Sequence, residues 1–236
     1  MVVVGGGTAG VAAAVGAADT GARALLVERS SALGGAATLR NVLGYCGLYT
    51  CDGRPRKAVG GVADRALERL AELGGVSRYG AVVGQWTVPL FDPEAVKRAM
   101  DDLVAQAGAD VVLGAAVIGA QHDAGRVKTV EYVDFGGHRH TAMADAFVDA
   151  SGDGALSALA GARVDIGAEG RMQTATMSIR FSGFSGDPRP RLEMIRDAVR
   201  HAAANGALPV TSSSGTGKAE TDPPSSSTSA SPRSDA

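Results

Sequence analysis

The stretch "MVVVGGGTAGVAAAVGAADTGARALLVERSSALGG" (residues 1–35) decides the fold, and the decision turns on its glycines. Val2, Val3 and Val4 are β-branched and apolar, which suits a strand covered on both faces of a parallel sheet. Gly5, Gly7 and Gly10 follow at G-x-G-x-x-G spacing. The residues from Thr8 to about Ala18 are small and helix-tolerant, and "ARALLVE" reads as a second strand ending at Glu28. Each part of this β-α-β unit has a mechanical reason. Gly5 permits the tight turn, Gly7 lets the backbone approach a pyrophosphate, and Gly10 lets the helix pack close to the strand. The helix N-terminus offers free N–H groups and a partial positive charge to phosphates. Glu28 lies 18 residues after Gly10, where a carboxylate can accept hydrogen bonds from a ribose diol and repel a 2′-phosphate. Glycine-rich turns are common, so the pattern alone is weak. The strand before it, the helix after it and the acidic partner supply the context that an ordinary tight turn lacks.

The chain has 236 residues, a formal net charge of −2 and 45% apolar residues. That length allows one large domain or two small ones, with enough apolar material for a sizeable core. Near-neutral charge without a basic stripe excludes nucleic acid as an expected partner. Two cysteines cannot build a disulfide framework. The N-terminus has no positive region followed by a separate apolar one, and the alanine-rich stretch after Gly10 is interrupted by Asp19, Gly21 and Arg23. It is too short and polar for a bilayer, so no membrane partner and a soluble cytoplasmic location are expected.

Further along, residues 36–59 are glycine-punctuated and expected to be irregular. "VADRALERLAEL" (62–73) sets Val62, Ala66, Leu70 and Leu73 on one face, an amphipathic helix stopped by Gly74-Gly75. "AVVGQWTVPLF" (81–91) is expected to be a strand. "DPEAVKRAMDDLVAQAG" (92–108) carries Asp92 as N-cap, Pro93 at the first helical position and Gly108 at the end. Strand, bend and strand are expected over 109–123, then a hairpin turning at Gly136-Gly137 and a third parallel strand before the glycine turn of "ASGDG" (150–154). Residues 162–187 are mixed, read as the start of another region, and "RPRLEMIRDAVRHAAANGAL" (189–208) as a last helix. From about Thr211, Ser, Thr, Pro, Gly and Asp dominate, the composition of a disordered tail.

With "GGGTAG" (5–10), "ER" (28–29), "LGGAAT" (33–38) and "ASGDG" (150–154) in this order, the sequence resembles the N-terminal part of an FAD-dependent oxidoreductase of the two-dinucleotide-binding-domain superfamily, over roughly residues 2–185. The resemblance implies an α/β, Rossmann-like FAD/NAD(P)-binding domain: a parallel sheet, helices and an antiparallel crossover β element. It implies FAD as cofactor. Gly5, Gly7 and Gly10 would line the pyrophosphate and Glu28 the adenosine ribose, with Thr8, Ala9 and Arg29 also among the cofactor-binding residues. Gly34, Gly35 and Thr38 would face the diphosphate, the strand near Val117 would offer backbone groups to adenine, and Gly152 and Asp153 would close the site. Members usually run longer and return to the first domain with another Gly-Asp segment. No such segment is found here, so the chain is expected to be C-terminally truncated. The expected division is an FAD-binding domain over 1–161, an incomplete start of a substrate domain over 162–210 and a disordered tail over 211–236.

Sharper readings compete with plainer ones. Cys46 and Cys51 have the C-x4-C spacing of a flavin disulfide reductase, but Cys46 comes 11 residues after Gly35, too far for that helix register, and two free thiols are the plainer reading. "HRH" (138–140) suggests a ligand pair, yet alternating strand residues share one solvent face, and no metal is expected. Asp149 and Asp153 are either an acid/base pair or, for Asp153, an acceptor near the cofactor. Arg180 in "MSIRFSG" is expected either to face a flavin or an anionic substrate or to be a surface arginine at a strand edge. No catalytic residue is named. Two functions follow: an FAD-dependent oxidoreductase moving a hydride or electron pair between a small organic substrate and flavin, or a truncated, non-catalytic nucleotide-binding fragment. The partner is a small-molecule substrate, with a homo-oligomer or a second chain carrying the missing half as further alternatives. An NAD enzyme is the third reading; "LGG" soon after "ER" and the long hairpin before the third parallel strand favour FAD.

Overall fold

Three consecutive valines begin the structure. The computed structural model describes residues 1–50, 56–76, 81–83, 86–88, 91–168, 172, 178 and 189–207. β1 (Val2–Val4) is fully buried and central. It pairs in parallel with β2 (Leu25–Glu28) on one side, and β2 with β5 (Asp110–Leu113) beyond it. On the other side it pairs in parallel with β9 (Phe147–Asp149), giving the order β5-β2-β1-β9. Side chains alternate across a strand, and the two cores follow that rule. Val3 and Leu26 face a helical layer, whereas Val2, Val4 and Val27 face an antiparallel sheet.

The helical layer consists of α1 (Thr8–Asp19), α3 (Val62–Glu72) and α4 (Pro93–Ala107). Helix α1 has almost no amphipathic contrast, and it packs through its small residues Gly10, Val11, Ala14 and Val15. Helix α3 buries Ala66 and Leu70, with Val62 and Leu73 against the same core, as the sequence periodicity requires. Asp92 caps α4 by accepting from Glu94 and Ala95 N–H at 2.8 and 3.0 Å, and Gly108 ends the helix with φ 73°.

The other face is covered by β6 (Ala116–Asp123), β7 (Arg126–Val133) and β8 (Arg139–Met143), antiparallel in that order. Val130 at the centre of β7 is fully buried against β1 and β2. The hairpin between β7 and β8 turns through Gly136-Gly137, with Gly137 at φ 79°. A short helix, α5 (Ala155–Leu159), follows β9. The architecture is the expected α/β Rossmann-like one: a parallel sheet with helices on one face and an antiparallel β element on the other.

Two local expectations change. The single strand expected over 81–91 is two, β3 (Ala81–Val83) and β4 (Trp86–Val88), paired antiparallel from Val83↔Trp86. Within the irregular stretch 36–59, Ala36–Leu39 make one helical turn, α2. Of residues 162–187 only 162–168, 172 and 178 are described, and no strand occurs among them; the tail from Thr211 lies outside the described residues. The chain divides into two units, Met1–Gln173 and Thr174–Ala236, and α6 (Arg189–Ala204) is the described helix of the second. Among the described residues no helix is long and apolar enough to cross a membrane.

Candidate functional site at the carboxyl edge of the sheet

Because β1, β2, β5 and β9 run parallel, their carboxyl ends share one edge, where open α/β sheets bind ligands. The turn after β1 is built by close approach. Gly5 has φ 101°, and its N–H donates to Val27 O at 2.8 Å. A Cβ at Gly5 would lie 2.4 Å from Ala150 O, and one at Gly10 would lie 1.7 Å from Gly5 O. Gly10 therefore seats α1 directly on the turn, and Ala150, just past β9, closes it from the far side. The middle residue of the motif is also crowded, though by side chains and not backbone: a Cβ at Gly6 would meet the end of the Leu33 side chain at 2.6 Å and Glu28 Cβ at 2.9 Å. The G-x-G-x-x-G spacing treats Gly6 as variable and conceals this crowding.

Gly7 is different. It is the N-cap of α1 with ordinary dihedrals (φ −67°, ψ 179°), and a Cβ there would meet nothing nearer than Gly35 Cα at 3.9 Å. No side chain caps the helix, so the first-turn amides of Thr8 and Ala9, both exposed, receive no side-chain acceptor.

Glu28 is 7% exposed at the end of β2. One carboxylate oxygen accepts from Gly6 N–H and the other from Ser30 N–H at 2.7 Å. The carboxylate thus locks the first turn to the second strand. Each oxygen keeps a second lone pair for a diol. Arg29 beside it is exposed.

The segment after β2 comes back against the first turn. Gly34 N–H donates to Gly6 O at 2.8 Å, and Gly7 and Gly34 form a parallel bridge. A Cβ at Gly35 (φ 57°) would lie 2.8 Å from Gly7 Cα, so this contact is backbone on backbone. Thr38 is buried, and its hydroxyl donates to Leu33 O at 2.8 Å. Its observed work is to hold the Leu33–Gly35 turn.

At the end of β9 a carboxylate again organises a turn. Asp149 accepts from Ser151 N–H and Oγ–H and from Ser157 N–H and Oγ–H, at 2.7–3.1 Å. Its carboxyl is held below the usual range; burial opposes this, and the bonds from Ser151 and Ser157 outweigh it. Ala150 N–H donates to Val4 O at 2.8 Å, and Ser151 Oγ accepts from Ala155 N–H at 2.8 Å. Gly152 (φ 87°) and Asp153 are exposed on the outside of this turn. The spaced serines of "DASGDGALS" carried the signal for the Asp149 knot.

Val117 in β6 pairs with Tyr132 and is half-buried against the second core. It follows Ala115, whose N–H donates to Glu28 O at 2.9 Å. The structure thus brings Gly5, Gly7, Gly10, Glu28, Gly34, Gly35 and Thr38 to one continuous cradle, with Val117 along its β2 side and Gly152 and Asp153 beyond Ala150.

Other candidates lie elsewhere. Cys46 is a free, exposed thiol; Cys51 and Arg180 lie outside the described residues. His138 and His140 are exposed and both approach Asp134, at 3.3 and 2.8 Å. Among the described residues no group of His, Cys, Asp and Glu is arranged to hold a metal. Tyr45 packs on Phe91 with ring centroids 4.5 Å apart, and its hydroxyl is buried without a partner among the described residues. Burial pushes its pKa up to about 12.

The cradle fits the ribose and pyrophosphate part of a dinucleotide. It offers an uncapped helix N-terminus, a glycine whose Cα carries no side chain and has room for a Cβ beside it, and an acidic side chain at the end of the second strand.

A family model described as FAD dependent oxidoreductase matches residues 1–230. Solved structures similar to the chain include a myxobacterial chondrochloren halogenase, described as a new variant of FAD-dependent halogenases (21% identity over 64% of this chain, TM-score 0.40). A geranylgeranyl bacteriochlorophyll reductase-like protein from Thermoplasma acidophilum has 19% identity over 68% and a TM-score of 0.46. L-proline dehydrogenase from P. horikoshii has 18% over 70% and 0.48. The chain covers 37%, 41% and 56% of these three, less than two thirds of each. No curated protein matches it.

Proposed function

Because the chain belongs to the FAD dependent oxidoreductase family, we propose that it binds FAD along the carboxyl edge of its parallel sheet and takes part in passing a hydride or electron pair between a small organic substrate and the flavin. FAD is the cofactor of this family, and when bound it supplies the redox chemistry at its isoalloxazine ring. The remaining tasks fall to residues of this chain. The N–H groups at the start of α1 and the bare backbone at Gly7 hold the pyrophosphate. Glu28, already fixed by Gly6 and Ser30, accepts from the adenosine ribose. Gly34 and Gly35 let the second loop close on the diphosphate, Thr38 keeps that loop in shape, and Gly152 and Asp153 border the site beyond Ala150. Residues 1–161 would form this FAD-binding domain and residues 162–210 the beginning of a substrate-facing one.

The observation that carries the reading is the meeting of Gly5–Gly7 with Gly34–Gly35 at a helix start that no side chain caps. The test is the visible absorption spectrum of the purified chain before and after adding FAD. A bound-flavin spectrum supports the proposal, and bleaching of the flavin by candidate substrates then identifies the substrate class. A colourless chain that takes up no FAD overturns it.

One observation favours a second reading, a nucleotide-binding module without chemistry of its own. Asp149, the half-buried member of the acid/base pair considered above, gives its oxygens to Ser151 and Ser157, while Asp153 is exposed. Flavin uptake with no bleaching by any donor would favour this reading, and a homo-oligomer or second chain would then complete the enzyme.

A further inference from the structure

The β2 side of the cradle is bordered by a residue that belongs to none of the glycine motifs. Gly114 N–H donates to Ser30 O and Ala115 N–H to Glu28 O, both at 2.9 Å, so the corner between β5 and β6 is tied to the segment carrying the cradle's carboxylate. β7 ends at Val133 opposite Ala116, so the turn that follows runs beside this corner. Phe135 lies in that turn. Its ring rests on Gly114, where a Cβ would sit 2.0 Å from the nearest ring carbon, and Gly114 also has φ 66°. Glycine there makes the seat for the ring.

Phe135 is nevertheless 79% exposed. Burying such a side chain would stabilise a protein by about 1.5–3 kcal/mol, a gain this position forgoes. Nor does the ring wander with a loose loop. Asp134 N–H donates to His138 O at 3.1 Å, and Gly137 N–H to Asp134 O at 2.9 Å. The Asp134 carboxylate accepts from His138 N–H at 2.9 Å and is approached by the His138 and His140 rings. His140 in turn stacks on Tyr132, with centroids 5.1 Å apart. The His140 contact, followed by the His138 amide, holds the Asp134 carboxyl at about 2. The acceptor that closes the turn therefore stays ionised through the neutral range.

A fixed aromatic ring, backed by a glycine and open on its other side, sits beside the strand end that carries the ribose carboxylate. We propose that Phe135 is the platform on which the adenine base stacks, and that it gives the site its preference for a purine. This rests on the reading that the Glu28 end of the cradle takes the adenosine half.

The test is calorimetric titration of the full chain with ADP and with UDP, for the wild type, Phe135→Ala and Phe135→Trp. Base–aromatic stacking is strong enough that Phe135→Ala should weaken ADP roughly 5- to 100-fold. UDP, which stacks less, should weaken far less, and Phe135→Trp should keep the wild-type preference. Circular dichroism and melting temperature should be unchanged in both variants. Wild type binding ADP while Phe135→Ala binds it equally well would overturn this proposal and leave the site reading standing. An equal loss of ADP and UDP would also overturn it, because the turn's shape and not the stack would then be felt. Wild type that takes up FAD but binds neither nucleotide would overturn this proposal alone, and wild type that takes up none of the three would overturn both.

Discussion

Helices α1 and α4 lie in the same layer and pack on each other, yet their N-termini are finished in opposite ways. Helix α4 is sealed. Asp92 accepts from two of its first N–H groups, Pro93 occupies the first position, and Phe91 packs on Tyr45 just outside. Helix α1 begins at Gly7, which has no side chain to offer and room for a Cβ at ordinary contact distance from Gly35. A sealed end stabilises the protein. An open end keeps donors and a partial positive charge for something that is not protein. The difference shows that a helix lacking a cap need not be poorly designed; here the missing cap lies where the strand ends converge.

Substitutions can break this comparison. The largest effect belongs to Gly10→Val, whose Cβ falls on Gly5 O. It should destabilise the chain by about 3 kcal/mol or more and abolish FAD uptake with it, read by thermal melting and absorption. Asp92→Ala opens the sealed end. It should cost about 1 kcal/mol of stability and leave FAD affinity unchanged. Gly7→Ser closes the open end. Stability should hold or rise by a few tenths of a kcal/mol, while FAD affinity drops about tenfold or more, a loss of ~1.4 kcal/mol or greater. Retained affinity in Gly7→Ser would end the contrast between the two helices.

The smallest effect concerns pH. The Tyr45 hydroxyl titrates near 10.0 when unfolded and is pushed up to about 12 by burial in the fold. Its contribution is therefore complete below pH 10 and is lost as pH rises toward 12. Chemical denaturation across that window should show stability falling, and Tyr45→Phe should lack that part of the slope. Tyr45→Phe should be no less stable than wild type at neutral pH, since it removes a buried hydroxyl without a partner among the described residues.

Much of this architecture was legible in the sequence because it rests on local periodicity. Val2–Val4, the glycine spacing, the stripe of α3 and the Asp92–Pro93 start of α4 each announce an element within a few residues. Glu28 was legible as an acid at the right distance, though not as one already bonded to Gly6 and Ser30. What spacing cannot express is contact between distant segments. Gly5 must be glycine because of Ala150, and Gly6 is crowded by the side chains of Leu33 and Glu28. Thr38 reads as a cofactor contact in its motif, but its hydroxyl turns inward to Leu33. The strand over 81–91 became a hairpin because apolar pattern alone does not say where a strand reverses.

The contact of Gly5 with Ala150 bears on the order of assembly. β1 meets its neighbour β2 after one short helix, but its other neighbour, β9, lies beyond most of the unit. The entropy of closing so long a loop must be met before the Gly5 turn gains its outer wall. On the ribosome, the first β-α-β unit can therefore form early, while its glycine turn stays open on one side until the segment around Ala150 has emerged. Until then the chain holds the start of α1 without the Ala150 wall that completes the Gly5 turn.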